Sequence, residues 1–362
     1  MRRGFFKGAV ARIRELQRAD GAIPWFDVGV FDPWNHVEAA MGLVVAGELE
    51  AARRAYRHLA ETQAADGSWL AEYGSSLPMD GARYVFAAPL PKIRDTNFCA
   101  YVATGIWHYY LATDDIAFAR ELWPCVASAV TFVLSHQHEE GDVRWAARDP
   151  HTPEEDALVT GSSSIYKSLE CAILLARALG EPAPGWDEAR FRLGEALASK
   201  PHRFDRQWAK KDGFSMDWYY PVLAGAIRGA GARARLAARW REFVEPEKGC
   251  RCVAGQPWVT IAETCELVLA LLNVGERTGA RDLFAAVQQW RDGDGSYWMG
   301  YQYAEDVPWP QEKPAWTAGA VLLAADALTG ATGAADLFTA VALEPFERDV
   351  SLRRQPARAR EP

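Results

Sequence analysis

The chain has 362 residues, 49% hydrophobic and 24% charged, enough for a large core in one big domain or two ordinary ones. A formal net charge of -8 and a pI of about 5.5 argue against a nucleic-acid surface. Charges interrupt the N-terminal MRRGFFKGAVARIRELQRADG, so it does not read as a secretory signal; no run of eighteen apolar residues offers a membrane span, and a bacterial cytoplasm is the expected compartment.

In chain order, helical periods alternate with two kinds of connection. Phe5 to Ala19 is amphipathic, and a long loop follows. Asn35 to Ala46 is far more apolar; Gly47-Glu48 turns the chain into Leu49 to Ala65, polar on one face. The loop Asp66 to Arg94 leads to apolar Asp95 to Ala112, a short turn, and the charged-faced helix Ile116 to His136. The loop Glu139 to Thr160 leads to apolar Ser162 to Leu179, for which serine is a good N-cap and Gly180 a stop. Then come Trp186 to Ser199, the loop Lys200 to Ser215, apolar Met216 to Arg228, and Ala232 to Val244. The loop Glu245 to Val259 precedes apolar Thr260 to Val274; Gly275-Glu276 turns into Arg277 to Trp290, and the loop Arg291 to Lys313 into apolar Pro314 to Leu328. Residues 347–362 are Arg- and Pro-rich and read as a fraying basic tail on a single domain, 1–346.

Helices apolar on most faces are buried, and amphipathic ones form an outer layer. Short turns join each apolar helix to the next polar-faced one, and every long loop falls at the other end. The expected fold is all-α, an (α/α)6 toroid of six helical hairpins with a cleft on the long-loop rim. Nothing in the pattern suggests a parallel sheet. Internal repeats support the ring. Gln17-x2-Asp20-Gly21-x3-Trp25 opens the first long loop and Gln63-x2-Asp66-Gly67-x-Trp69 the second. Looser copies are Gln137/Glu140-Gly141/Trp145, Gln207/Asp212-Gly213/Trp218 and Gln289/Asp292-Gly293/Trp298. Asp-Gly supplies a turn, and Trp pins the loop to the helix ends.

These repeats resemble those of the squalene-cyclase and protein-prenyltransferase toroids, and the six-hairpin glycosidases, glucoamylases among them, share the double helical ring. The stretch PEEDALVTGSSSIYKSLECAILLARALGE (153–181) resembles the glucoamylase-type segment whose acidic loop carries the general acid, and YQYAEDVPWPQEKPAWTAGAVLLAADAL (301–328) the region that carries the general base. The resemblance implies a carbohydrate-active enzyme with Glu155 or Asp156 as acid and Glu305 or Glu312 as base. A gapless count back from Gly161 lands on Ala157, so the acid is displaced by one or two residues. DPWNHVEAA (32–40) and IRDTNFCAYVATGI (93–106) resemble the elements that grip the sugar, which adds Asp32, Trp34, Asn35, His36, Glu38, Arg94, Asp95 and Asn97.

Polar groups at the mouths of apolar helices are costly unless they cap or bind something, which singles out Asp217, Trp218, Tyr219 and Glu263 as well. Fifteen Trp is many for this length, and Trp298, Trp309 and Trp316 fall in or beside long loops as stacking walls. The six Cys lie mostly in apolar segments and read as buried thiols; no metal and no cofactor is expected. The partner is a small-molecule or oligosaccharide substrate. Two alternatives stand beside glycoside hydrolysis: a terpenoid cyclase or prenyltransferase of the same ring type, and a non-catalytic toroid that binds a glycan or protein. The cyclase Asp-x-Asp-Asp signature is missing, Thr113-Asp114-Asp115 being a partial echo.

Overall fold

A computed structural model describes residues 4–27, 29–74, 92–149, 151–207 and 209–343. The 347–362 tail lies outside the described residues. Among those described, twelve principal helices alternate between two layers. The odd-numbered ones are outer: α1 (Lys7–Leu16), α3 (Leu49–Thr62), α5 (Ile116–Ser135), α7 (Trp186–Ser199), α9 (Gly229–Ala238) and α11 (Arg277–Val287). The even-numbered ones are inner: α2 (Pro33–Val45), α4 (Thr96–Thr113), α6 (Val159–Leu179), α8 (Ser215–Leu223), α10 (Ile261–Asn273) and α12 (Ala315–Thr329). Each inner helix packs on the next, and α12 returns to α2, so the ring is closed. At that seam Gly319 lets the backbones touch, for a Cβ there would stand 2.6 Å from the Glu38 carbonyl oxygen.

Sequence explains the layering. Every residue of α2 from His36 to Val44 is buried, whereas α3 buries mainly Ala51, Ala52, Ala55, Tyr56, His58 and Leu59 and turns its arginines outward. Helix α5 is long and apolar enough to cross a membrane by length and composition. In the ring it packs against α4 and α6, with Phe118, Leu122, Val126, Val130 and Val133 in the core. Asp32, Asp95 and Asp115 cap their helices by accepting first-turn amides, and Gly180 ends α6 in the left-handed conformation.

Several boundaries differ from the sequence reading. Helix α6 starts at Val159, so Ser162, Ser163 and Ser164 are buried inside it and none is its N-cap. Ser163 Oγ donates to Val159 O one turn back, within the helix rather than at its start. Helix α8 ends at Leu223, because Pro221 lies in its last turn and Gly225 turns left-handed after it. The fifth and sixth loops are not irregular. They form an antiparallel meander of β3 (Val244–Glu245), β4 (Gly249–Arg251), β5 (Trp258–Thr260), β6 (Gly300–Gln302) and β7 (Val307–Pro308). A two-stranded pair, β1 (Arg94–Asp95) and β2 (Ala146–Ala147), ties the second loop to the third.

The repeat has a mechanical meaning. Gln17 Nε2 donates to the carbonyls of Gly21 and Ala51, Gln63 Nε2 to those of Gly67 and Cys125, and Gln137 Nε2 to those of Gly141 and Ala189. Each glutamine staples its own loop to the next outer helix. The glycine is needed twice over. Gly67 has φ +87°, and a Cβ there would sit 2.2 Å from the Ser128 carbonyl oxygen. In the sixth loop the working glycine is Gly295, not Gly293: Asp294 accepts from Ser296 N as Asp66 does from Ser68 N, and Arg291 replaces the glutamine by donating to Gly295 O and Phe5 O. The fourth copy is not one structurally. Gln207 bonds Asp156 through its backbone N–H, and nothing presses on Gly213.

Candidate active site

All six inner helices start on the long-loop rim, and two of them, α2 and α10, carry an acid in their second turn that lines the ring's centre. Glu38 on α2 is buried; Tyr101 Oη of α4 donates to its Oε1 at 3.1 Å. Glu266 on α10 is also buried and is held by Tyr219 Oη of α8. Glu38, Glu266, Tyr101 and Tyr220 line one central cavity, closed below by Phe338. Glu263, one turn above Glu266, is only half-buried, and its charge acts on both. Burial, opposed in part by the Tyr101 and Trp34 bonds, pushes the Glu38 carboxyl up to about 7; burial and then Glu38 push Glu266 upward. Trp34 is the hub of this wall, its ring centroid 5.7 Å from Phe98 and Tyr101 and 5.9 Å from Tyr220.

Around this centre lie further acids. Asp32 is fully buried, accepting from Trp25 Nε1 at 2.6 Å, Asn35 N at 2.8 Å and Asn35 Nδ2 at 2.6 Å; burial still raises it to about 6. Asp95 is raised to about 7, mainly by burial, although the Phe98 and Asn97 amides pull it down. Glu72, which no feature of its loop segment singled out, is raised by burial and by Asp32. Asp217 is raised to about 6 by burial and accepts from Thr160 N at 3.2 Å.

The other sequence candidates divide sharply. Glu155 is exposed on the rim, 3.8 Å from Arg144, and Glu305 is exposed in the β6–β7 turn. Asp156 is fully buried but fixes loops, accepting the amides of Ala157, Arg206 and Gln207. Glu312 is buried before α12, its carbonyl accepting from Met299 N. His36 is a satisfied core histidine: Nδ1 accepts from Ile23 N, Nε2 donates to Ala55 O, and burial lowers it to about 4. Arg94 is committed to Ser68 Oγ and Arg148 O, bridging two loops. Trp218 is 1% exposed and stacks on Phe243, away from the cleft. Trp316 packs with Trp25 and Phe26, and Trp298 lies under Lys313 Nζ. Trp309 is 43% exposed and meets Trp258 edge-on at 5.1 Å, a free indole face on the rim. The acids at the ring's centre were legible as breaks in apolar helices. Tyr101 and Tyr220 were not, since an inward tyrosine looks like core. All six cysteines are free thiols, five of them buried. Among the described residues no group of His, Cys, Asp and Glu is placed to hold a metal.

A closed double ring with indoles on its rim and buried carboxyls at its centre is a glycoside hydrolase of the six-hairpin type, an enzyme that cleaves glycans. The chain belongs to the same family as the MMP endo-(1,4)-3-O-methyl-alpha-D-mannosidase of Mycolicibacterium hassiacum, with 48% identity over 331 residues, 91% of this chain and 88% of that protein. No family model matches it. Among solved structures it resembles a wild-type glycosidase, with a TM-score of 0.66 and 16% identity over 91% of this chain and 96% of that one. A GH63 mannosylglycerate hydrolase from Thermus thermophilus, in complex with Tris and D-glycerate, gives a TM-score of 0.64 and 16% identity over 88% and 99%. These relatives do not favour the cyclase or the non-catalytic reading.

Proposed function

We propose that this chain is an endo-acting, inverting mannosidase that cuts (1→4)-linked α-D-mannan bearing 3-O-methyl groups, with Glu38 as general acid and Glu263 as general base. The observation that carries it is a pair of neighbouring carboxyls on two inner helices, one buried and one half-exposed. Glu38 is buried, raised to about 7, and lines the central cavity. Glu263 is half-exposed and close enough for its charge to act on Glu38. Hydrolysis with inversion needs that division: one carboxyl protonated, to give a proton to the leaving oxygen, and one charged, to take a proton from the attacking water. As the bond breaks, Glu38 becomes the carboxylate, where Tyr101 Oη already donates to it. The water's proton passes to Glu263, and exchange with solvent resets both groups. The substrate class rests on the identity to the curated mannosidase.

Asp32, raised to about 6 on the same helix, is the competing acid, and Glu312 the competing base. A fully hydrogen-bonded carboxyl in an unliganded site can still be recruited when substrate binds. The test is hydrolysis of 3-O-methylmannan oligosaccharides by E38Q, E263Q, D32N, E312Q, E155Q and E305Q. E38Q and E263Q should each lose about 10²–10⁴-fold in kcat/KM. E155Q and E305Q should match wild type. Full activity in E38Q with loss in D32N would move the acid to Asp32. Retention of the anomeric configuration, read by NMR on the fresh product, would refute the inverting scheme.

A further inference from the structure

A second recess, of about 110 Å³, opens beside Trp34, between the starts of α4 and α6. Its walls are of two kinds. Val143, Leu158 and Ile165 supply aliphatic surface, while the hydroxyls of Thr96 and Thr160, which also line it, are already spent on Arg144 O and Asp217. Among the polar residues lining it are Asn97, 3% exposed, and Ser162, 2% exposed. Asn97 Oδ1 and Ser162 Oγ have no hydrogen-bond partner. Buried polar atoms are rarely left unmet, and each costs free energy until something pairs with it. An orphan acceptor and an orphan hydroxyl on residues that line one recess therefore point to a polyhydroxylated ligand. The aliphatic surface cannot serve a hydroxyl, which would lose its water and gain no bond there. It suits a group with carbon outermost.

We infer that this recess is the subsite that reads the O-methyl group of the sugar, the methyl lying against Val143, Leu158 and Ile165 while a neighbouring free hydroxyl of the same ring donates to Asn97 Oδ1. The inference rests on the methylmannan reading above and adds to it the place where methylated and plain mannan are told apart. Trp34 forms the partition between this recess and the cavity over Glu38, so a sugar seated here adjoins the proposed acid. Access for the methyl group depends on Gly161, where an added Cβ would stand 3.6 Å from the Asn97 Cβ, in ordinary contact but within the recess.

The test compares kcat/KM for 3-O-methylated and unmethylated (1→4)-α-mannan oligosaccharides in wild type, V143T, G161A and N97A. V143T swaps a methyl for a hydroxyl at nearly constant size, and should lower kcat/KM for the methylated substrate about tenfold, through KM, while leaving the unmethylated one unchanged. G161A narrows the recess and should shift the preference the same way. N97A should weaken both substrates alike. Equal effects of V143T and G161A on the two substrates overturn the inference, as does a wild type that shows no preference. If wild type cleaves neither substrate, the methylmannan reading itself fails. Calorimetric titration with 3-O-methyl-D-mannose then decides the subsite alone: affinity about tenfold weaker in V143T supports it, and equal affinity overturns it.

Discussion

Replacing Gly67 by alanine should strain the outer ring far more than the same change at Gly47, and the difference measures how tightly the loop staple is built. Both glycines are left-handed, with φ of +87° and +79°. An L-residue there costs about 1–2 kcal/mol for conformation alone. At Gly47 nothing lies within 4 Å of an added Cβ, so that cost is the whole effect. At Gly67 the Cβ would lie 2.2 Å from the Ser128 carbonyl oxygen and 2.6 Å from its carbon, backbone atoms of α5 that cannot rotate away. Relieving that overlap costs about a further 1–3 kcal/mol. It also stretches the two bonds from Gln63 Nε2, each 2.9 Å, that hold loop and helix together. Urea denaturation followed by circular dichroism should therefore place the G67A midpoint well below that of G47A, with equal slopes. Equal midpoints would show that α5 gives way freely, and the staple would not be what fixes the loop.

Other outcomes follow from the same geometry. G319A pushes a Cβ against the Glu38 carbonyl at the ring seam, so activity should fall by more than the modest loss of stability explains; kcat unchanged beside a lowered Tm would refute this. E170Q leaves Lys167 and Arg190, both buried, without their shared carboxylate, and should cost about 3–5 kcal/mol in denaturant unfolding, since removal of one member strands the others. Because Glu38 is raised from 4.5 to about 7 on folding, wild type should lose stability relative to E38Q as pH rises from about 4.5 to about 7, the range in which only the unfolded chain gives up the proton; a constant difference in Tm would contradict the buried, protonated state.

The ring was legible because its signals are local and repeated: apolar helices alternating with two-faced ones, and short turns alternating with long loops. The staple was legible as a motif but not as a mechanism, since the partners of Gln63 and Gln137 lie on outer helices some fifty to sixty residues away. Register misled twice. Asp292-Gly293 matched the motif in letters, but Asp294-Gly295 occupies the structural position, with an arginine doing the glutamine's work. The Gly-Ser-Ser at 161–163 matched a helix start and lies within the helix. The acids divided along the same line. Of the acids that interrupt apolar inner helices, Glu38 and Glu266 line the central cavity, whereas Glu170 turns toward α7 and is spent on Lys167 and Arg190. Loop acids carry no directional rule, and Glu155 and Asp156, adjacent in sequence, are respectively exposed and fully buried.

The most direct test of the proposed mechanism is the pH dependence of kcat/KM for wild type on a 3-O-methylmannan oligosaccharide. A Glu38 that must be protonated to act, with its carboxyl at about 7, predicts a rate that falls tenfold per pH unit above that point, and a fall that E38Q no longer shows. A wild-type rate that stays level to about pH 9, or an alkaline limb that persists in E38Q, would contradict it.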